Sequence, residues 1–283
     1  MLRSFAVRVL FVSCFAFAAQ AQSPSPNAPA TSTPPQPVAK KPVAKRSAPK
    51  AKAAVKQPAA AETGPCRLGV ISALGDQFAV QHFGLTIFEN KEDRVPVADW
   101  RLDDLALARV RAATGSDPSI HGITYPKGAF EPFYNPKSVL LRAESERLPD
   151  IVRSITTNAH CDRYLIVMRT KGELPGTHMV LDGIGTYDQG IGSTFKHSHL
   201  FANIFLVLLN GTTYETISRP FANFGAHFAD GLRLTEDPLT RLDNSLFPDP
   251  PETASSSPTL RDRTRELVAA TLDKELPGYL KPD

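Results

Sequence analysis

The chain changes character at Cys66, and this change limits what the rest of it can fold into. Residues 22–65 consist almost wholly of Ala, Pro, Lys, Ser, Thr and Gln, and they include no aromatic side chain. Such a segment cannot bury enough apolar surface to offset the entropy that is lost on ordering. From Cys66 to Leu74, by contrast, both alternating sets of side chains are largely apolar, which is typical of a strand buried on both faces. The sequence therefore predicts a disordered linker over 22–65 and a single globular domain over 66–283.

The first 21 residues have the pattern of a cleaved signal peptide. Arg3 and Arg8 give a basic start, residues 9–19 are largely apolar, and Ala19-Gln20-Ala21 has the small residues that signal peptidase requires. An apolar run of this length is shorter than the roughly twenty residues that a membrane-spanning helix needs. The leader therefore predicts a periplasmic or secreted protein. The alternative is a lipoprotein that is anchored through an acylated Cys14.

The linker carries most of the positive charge of the chain. It holds seven basic residues and one acid, Glu62, so its net charge is +6. The whole chain is +3, with a pI near 8.7. Removing the linker and the +2 of the leader leaves residues 66–283 near −5.

A basic segment of this kind binds polyanions by releasing their counterions, and the candidates are anionic lipid head groups, acidic cell-wall polymers and nucleic acid. Export argues against nucleic acid. The expected partner of the linker is therefore the membrane surface, the cell wall or an envelope protein. The alternative is a spacer that only holds the domain away from its attachment point.

Cys66 and Cys161, the two cysteines that remain after the leader, are expected to form a disulfide. An even number of cysteines in an exported chain indicates pairing in an oxidising compartment. Each cysteine lies at the start of a predicted buried strand, and parallel neighbouring strands start at the same edge of a sheet. The absence of a Cys-x-x-Cys motif from the sequence argues against a redox-active role.

Hydrophobic periodicity predicts an α/β (α+β) fold, a single mixed-sheet sandwich domain with helices packed on the sheet. The predicted order of elements is β-β-α-β-α-β-β-β-α. The helix over 102–113 has strong helix formers and two acids in its first turn. Pro149 is expected to kink or divide a helical stretch over 137–160, because proline fits only the first turn of a helix.

Turn and cap residues divide these elements. Gly75-Asp76 and Asn210-Gly211 each separate two extended runs by two residues, which predicts a hairpin with positive φ angles at both places. The second hairpin would join a strand over 200–209 to one over 212–218. Ser257-Pro258 opens the last helix, with serine as the cap and proline as the first helical residue.

The order of elements resembles that of a domain found in several envelope proteins. These are the curli-secretion lipoproteins, the lipoprotein activators of penicillin-binding proteins and the amino-terminal part of the Tol translocation protein. The motif Gly69-Val-Ile-Ser-Ala-Leu-Gly-Asp76 is also similar to uncharacterised exported proteins of proteobacteria. These resemblances imply an envelope binding module rather than an enzyme, and they carry over no site residue.

The stretch 182–199 is the most suggestive one for ligand binding. Glycines at four positions let backbone amides approach an anion, and Lys196 adds a side-chain donor. The glycines are Gly183, Gly185, Gly190 and Gly192. Phosphate loops open into a helix, however, and this stretch leads into a predicted strand. The favoured interpretation is therefore a glycine-rich hairpin connection.

His197 and His199 are candidate metal ligands. Two residues apart on a strand, they project to the same side and can reach one ion. His178, Asp182 or Asp188 would have to complete the ligand set. Without a clear third ligand, the alternative is a pair of ordinary surface or loop histidines.

The sequence favours a binding protein over an enzyme. The Gly-x-Ser-x-Gly motif of nucleophilic hydrolases is absent from it. The expected function is an exported, envelope-associated binding or accessory module, with no cofactor predicted and the oligomeric state left open. The alternatives are a metal-dependent hydrolase that uses His197 and His199, and a structural envelope protein without a ligand.

Overall fold

The computed structural model of the chain describes residues 64–84, 86–137, 147–174, 179–191, 195–219 and 240–281. All of these residues belong to one compact unit, Ala59–Asp283. The leader and nearly all of the linker lie outside the described residues, so the predictions for 1–21 and 22–63 stay predictions. No helix in the described ranges is long and apolar enough to cross a membrane.

The described residues form strands, four α-helices and four short 3-10 turns. The strands are β1 (Cys66–Ala73), β2 (Gln77–Phe83), β3 (Lys91–Pro96), β4 (Ile120–Gly122), β5 (Cys161–Arg169), β6 (Lys171–Glu173), β7 (Val180–Asp182), β8 (Ile184–Ile191), β9 (Phe195–Ala202), β10 (Ile204–Asn210) and β11 (Arg241–Leu242). The helices are α1 (Leu102–Ala113), α2 (Glu131–Tyr134), α3 (Leu148–Ile155) and α4 (Pro258–Leu280). The 3-10 turns are Ile87–Glu89, Ala98–Trp100, Asn244–Leu246 and Pro251–Ser256. Helices pack against sheets, which confirms the predicted α/β class.

The strands divide between two main sheets, where the sequence predicted one mixed sheet. A four-stranded sheet has the order β10-β5-β1-β4, in which β1, β4 and β5 are parallel and β10 is antiparallel. A five-stranded sheet has the order β11-β9-β8-β2-β3, and β6 and β7 form a separate ribbon. The chain passes directly from one main sheet to the other at Leu74–Asp76 and at Asn203, and it does so through longer connections elsewhere. Hydrophobic periodicity indicates which faces of a strand are buried but not which sheet the strand joins, so it could not predict the division into two sheets.

The hairpin predicted at Gly75-Asp76 is wrong. β1 pairs with β4 and β5, whereas β2 pairs with β3 and β8. Gly75 does have a positive φ, of +81°, which glycine adopts without a Cβ clash. The glycine therefore turns the chain out of one sheet and into the other.

Asn210-Gly211 turns the chain as predicted, but neither residue has a positive φ; Tyr214 does, at +61°. The predicted strand 212–218 is reduced to a single bridge between Leu209 and Thr216. Gly211 is required for a different reason, because a Cβ there would lie 1.8 Å from the carbonyl oxygen of Cys161. The turn thus packs directly against the start of β5.

The main apolar core lies between the two sheets and the helices α1 and α4. It contains side chains from both sheets, among them Val70, Phe78, Val167 and Leu200. The opposite face of the four-stranded sheet is covered by α3, whose Ile151 and Val152 pack with Ile166 of β5. Helices thus cover both faces of the parallel strands, as buried parallel sheets require.

The predicted bounds of α1 and the predicted cap of α4 are confirmed. α1 has the predicted bounds, and Pro149 lies in the first turn of α3, where proline is tolerated. Residues 138–146 lie outside the described ranges. The Leu260 N–H donates to the Ser257 hydroxyl oxygen, so Ser257 caps α4 with Pro258 as its first residue.

Cys66 and Cys161 form the predicted disulfide. β1 and β5 are adjacent parallel strands, and the two cysteines are register partners with Cα atoms 4.5 Å apart. The same register continues to Ala73 and Met168 at the other end of the pair. A disulfide is compatible with an oxidising, extracytoplasmic location.

Replacing both cysteines by alanine is expected to lower the free energy of unfolding by about 4 kcal/mol. The bond joins residues 95 positions apart, and it removes loop-closure entropy from the unfolded chain. Urea unfolding with and without reductant measures the effect. Reductant should weaken the native chain by a similar amount and leave the double variant unchanged; equal stability of the oxidised and reduced native chain would contradict the prediction.

Candidate functional site

The carboxyl ends of β1, β4 and β5 meet at one edge of the four-stranded sheet. From β1 the chain reaches β4 through β2, β3 and α1, and from β4 it reaches β5 through α2 and α3. α1 and α3 cover opposite faces. In open sheets, ligands bind at the carboxyl edge between neighbouring strands whose connections leave toward opposite faces, and here these strands are β1 and β4.

Five side chains surround this edge, and we refer to them as the carboxyl-edge cluster: Ser72, Asp103, Tyr125, Tyr134 and Arg169. Asp103 lies in the first turn of α1. Its Oδ1 accepts hydrogen bonds from the Ser72 hydroxyl at 2.6 Å and from the Leu74 and Gly75 N–H groups at 3.0 and 3.4 Å. The carboxylate thus binds the end of β1 to the start of α1.

Burial raises the pKa of the Asp103 carboxyl above its usual range. The hydrogen bonds from Ser72, Gly75 and Leu74 act in the opposite direction but do not offset the loss of solvation. Its neighbour Asp104 is exposed and pairs with Arg101 instead. The adjacent acids therefore have different surroundings, and only Asp103 belongs to the cluster.

Two tyrosines donate to the last carbonyl groups of β1. The Tyr125 hydroxyl donates to the Ser72 carbonyl, and the Tyr134 hydroxyl donates to the Ala73 carbonyl at 2.8 Å. Burial raises the pKa of Tyr125 well above its usual range and that of Tyr134 to about 12. Both hydroxyls are therefore neutral hydrogen-bond donors at physiological pH.

Arg169 is the last residue of β5 and reaches over the same edge. Its Cζ lies 4.3 Å from the centroid of the Tyr134 ring, a cation–π contact. Its aliphatic part packs near Gly183, where a Cβ would lie 3.3 Å from Arg169 Cδ. The negative charge of Asp103 and the positive charge of Arg169 both act on the Tyr134 hydroxyl, so the cluster is continuous.

No protein-family model, curated protein or solved structure matches the chain. The resemblance to envelope families stays an expectation from the order of the elements. The candidate site is therefore defined by the geometry of its own residues.

The glycine-rich stretch forms the β8–β9 hairpin, which is the favoured interpretation of the sequence. The two strands pair antiparallel from Ile184 and Ala202 to Ile191 and Phe195. Gly183 and Gly185 are buried, and Gly190 pairs with Lys196 in the ladder. Gly192 lies outside the described residues. Because a strand and not a helix follows, the described part lacks the geometry of a phosphate loop.

His197 and His199 share one face of β9, as their spacing predicted. His197 is exposed, while His199 is partly buried and stacks on Tyr187 with centroids 5.1 Å apart. Asp188 does not complete a metal site with them, because its register partner is Ser198. Its side chain therefore projects to the opposite face of the sheet from His197 and His199. His178 lies outside the described residues. In the described ranges, no group of three His, Cys, Asp or Glu side chains is arranged to hold a metal.

Asp188 instead forms a buried ionic cluster with His82 and Lys196. Its carboxylate is 0% exposed, with Oδ1 2.5 Å from His82 Nδ1 and Oδ2 2.6 Å from Lys196 Nζ. Lys196 also lies over the Phe247 ring, 4.5 Å from its centroid. Lys196 therefore has an internal partner on this face of the sheet and is not available as the anion donor that the sequence suggested.

Sequence reasoning missed both clusters because their members come from distant segments. Ser72 and Asp103 are 31 residues apart, and His82 and Asp188 are 106 apart. One usable signal existed for the first cluster. It was the position of Ser72 near the end of a predicted buried strand and of Asp103 in the first turn of the next predicted helix, because such positions often meet at the carboxyl edge of a sheet.

Lys196→Met is expected to lower the free energy of unfolding by about 3 kcal/mol, because it leaves the buried Asp188 carboxylate without its lysine partner. Lys127→Met is the matched control: Lys127 pairs with Asp76 at 3.1 Å, but its side chain is 91% exposed. An exposed pair contributes about 0–1 kcal/mol. Urea unfolding of both variants tests the difference, and equal losses would contradict the burial argument.

Asp103→Asn is expected to gain stability relative to the native chain as the pH rises from 3 to 7. The folded-state pKa of Asp103 is raised, so its favourable contribution is complete below the unfolded pKa and is lost as the pH rises through the folded value. Asparagine keeps the acceptor oxygen without the charge. Urea unfolding across this pH range measures the difference.

Asp243→Asn serves as the control of opposite sign. Hydrogen bonds from the Ser245 N–H and hydroxyl lower the pKa of Asp243. Its contribution is therefore present above the unfolded pKa and lost as the pH falls. This variant should lose stability relative to the native chain as the pH rises. Parallel pH profiles for the two variants would show that burial does not govern Asp103.

Proposed function

We propose that the chain is an exported, envelope-associated binding or accessory module whose ligand site is the carboxyl-edge cluster. The observation that carries this proposal is the position of the cluster, at the carboxyl edge where the connections from β1 and β4 leave toward opposite faces, as at the ligand sites of open parallel sheets. The leader pattern, the Cys66–Cys161 disulfide and the resemblance in element order support export and the envelope.

The chemistry of the cluster supports binding. Burial raises the pKa values of Asp103, Tyr125 and Tyr134, and groups with perturbed pKa values concentrate at functional sites. The hydrogen bonds of Asp103, Tyr125 and Tyr134 to the end of β1 hold these side chains in fixed positions. A site that is positioned in advance loses less entropy when a ligand binds.

The basic linker attaches this module to an anionic surface of the envelope, either the membrane or the cell wall. The linker carries +6 and residues 66–283 carry about −5. The folded part is therefore repelled by the surface that attracts the linker. Attachment then depends on the linker and weakens as salt is added, because counterion release drives it.

Neutralising the linker tests this proposal. Glutamine replaces each of its seven basic residues: Lys40, Lys41, Lys45, Arg46, Lys50, Lys52 and Lys56. Co-sedimentation with anionic lipid vesicles and with peptidoglycan is then compared with that of the native chain at low salt. We expect the native chain to bind at least one surface and the variant to lose most of this binding, by about tenfold or more, since each lysine near an anionic surface contributes about 1 kcal/mol.

A second variant controls for loss of charge in general. It replaces three exposed lysines of the folded part, Lys91, Lys171 and Lys281, by glutamine. This variant should bind as the native chain does, because these residues lie outside the linker. Equal binding by the native chain and the neutralised linker variant would show that the linker does not attach the protein to these surfaces.

A further inference from the structure

The turn after β10 contains a chemically labile pair of residues, Asn210 followed by Gly211. The side-chain amide of an asparagine is open to attack by the backbone nitrogen of the residue that follows it. Glycine hinders this attack least, because it has no side chain. Asparagine is for this reason counted among the thermolabile residues. Asn210-Gly211 is the only Asn-Gly pair in the sequence.

The reaction of this pair needs only water. The Gly211 nitrogen forms a bond to Asn210 Cγ, and the bond from Cγ to the amide nitrogen breaks. Ammonia leaves after taking up the proton that the Gly211 nitrogen gives up. Water then opens the cyclic succinimide at either of its carbonyl carbons. The products are aspartate and isoaspartate, which carry a negative charge at neutral pH.

The fold occupies the nitrogen that would attack. The Gly211 N–H donates to the Asp162 carbonyl at 2.8 Å. The proton of this N–H must leave before the nitrogen can attack, and a hydrogen-bonded amide releases its proton only when the bond opens. Gly211 also has little room to move, since a Cβ there would lie 1.8 Å from the Cys161 carbonyl oxygen.

The fold also holds the group that would be attacked. Asn210 Oδ1 accepts hydrogen bonds from the Thr212 and Thr213 N–H groups at 2.8 and 2.9 Å, as in an Asx-turn. The Asn210 N–H donates to the Glu215 carbonyl at 2.9 Å. An amide group whose oxygen is held by two donors cannot turn freely toward the Gly211 nitrogen.

Tyr214 fastens the turn to β5 and α3. Its φ of +61° is unfavourable for a bulky residue. Its ring stacks on that of Tyr164 with centroids 5.8 Å apart, and its hydroxyl lies 3.0 Å from Thr156 Oγ1. Arg153 Cζ lies 4.9 Å from the centroid of the same ring. These contacts offset the cost of the backbone conformation, so the turn stays closed while Tyr214 is packed.

We propose that Asn210 is a deamidation site that these contacts keep closed in the folded chain and that reacts when the turn separates from the start of β5. The rate of reaction is then set by the fraction of molecules in which the turn is open. The Cys66–Cys161 disulfide lowers this fraction, because it holds the start of β5 immediately before Asp162.

The two products act differently on the turn. Aspartate keeps an acceptor for the Thr212 and Thr213 N–H groups, so the turn closes again. Isoaspartate adds a carbon atom to the backbone beside Gly211, where the contact with the Cys161 carbonyl leaves no space. Isoaspartate at this position is therefore a lasting record that the turn has opened.

Peptide mass spectrometry measures the reaction in the full oxidised chain, incubated at mildly alkaline pH with and without denaturing urea. Asn210 in the folded chain should react at least about tenfold more slowly than in urea, because the closed turn protects it. Asn244, which precedes Ser245, is the internal reference. Its side chain bonds the Ser198 N–H and the Lys196 carbonyl instead, so it reports unfolding elsewhere in the fold.

Variants that leave the Asn-Gly pair intact test the closure. Tyr214→Ala removes the ring and hydroxyl contacts and should raise the rate at Asn210 in the folded chain about tenfold or more. Replacing Cys66 and Cys161 by alanine should raise it in the same direction. Tyr187→Ala is the matched control, because it removes a stacked ring from the other sheet. It should leave the rate at Asn210 unchanged.

Hydrogen exchange of the Gly211 amide should become faster in the same variants that raise the rate at Asn210. If Tyr214→Ala also raises the rate at Asn244, that variant has unfolded as a whole. Tyr214→Phe, which removes only the hydroxyl contact, then replaces it and should give a smaller rise. The inference is overturned if Asn210 reacts as fast in the folded chain as in urea, or if neither the tyrosine variants nor loss of the disulfide changes its rate.

Discussion

The parallel pairing of β1 with β5 is the constraint on which the rest of the structure depends. The Cys66–Cys161 disulfide fixes its register at one end, and the same register brings Ala73 beside Met168 at the other. Parallel neighbours need crossover connections, and here one runs over each face of the sheet. The pairing therefore creates both the two-sided core and the edge between diverging connections at which the carboxyl-edge cluster lies.

The strand end also explains much of the composition of the cluster. Where β1 ends, the carbonyl groups of Ser72 and Ala73 need donors, since buried backbone groups are rarely left unpaired. Tyr125 and Tyr134 supply these donors, and Asp103 accepts from the N–H groups that follow. The need to pair these backbone groups is therefore sufficient to explain the contacts of Tyr125, Tyr134 and Asp103. Arg169 differs from them, because its guanidinium contacts the Tyr134 side chain.

How much the sequence could predict depended on how local each cause was. Nearby residues predicted the bounds of α1 and the cap at Ser257, and the presence of only two cysteines after the leader predicted the disulfide. All three predictions are confirmed. The division into two sheets could not be predicted in this way, because the residue pattern of a strand does not indicate which strands it pairs with. Gly211 illustrates the limit: the turn is local, but the need for glycine comes from the Cys161 carbonyl 50 positions away. The clusters around Asp188 and Asp103 depend on such distant neighbours and could not be predicted from spacing.

The two clusters differ in how the charges within them are compensated. The buried Asp188 carboxylate is held between His82 and Lys196, so its charge is compensated internally. Arg169 has no such acid among the described residues, although residues 66–283 are negative overall. That net charge repels a large anionic polymer over its whole surface, whereas a small anion feels mainly what lies within a Debye length of about 8 Å. Contact with an anionic polymer is therefore expected at the linker and not at the folded part of the chain.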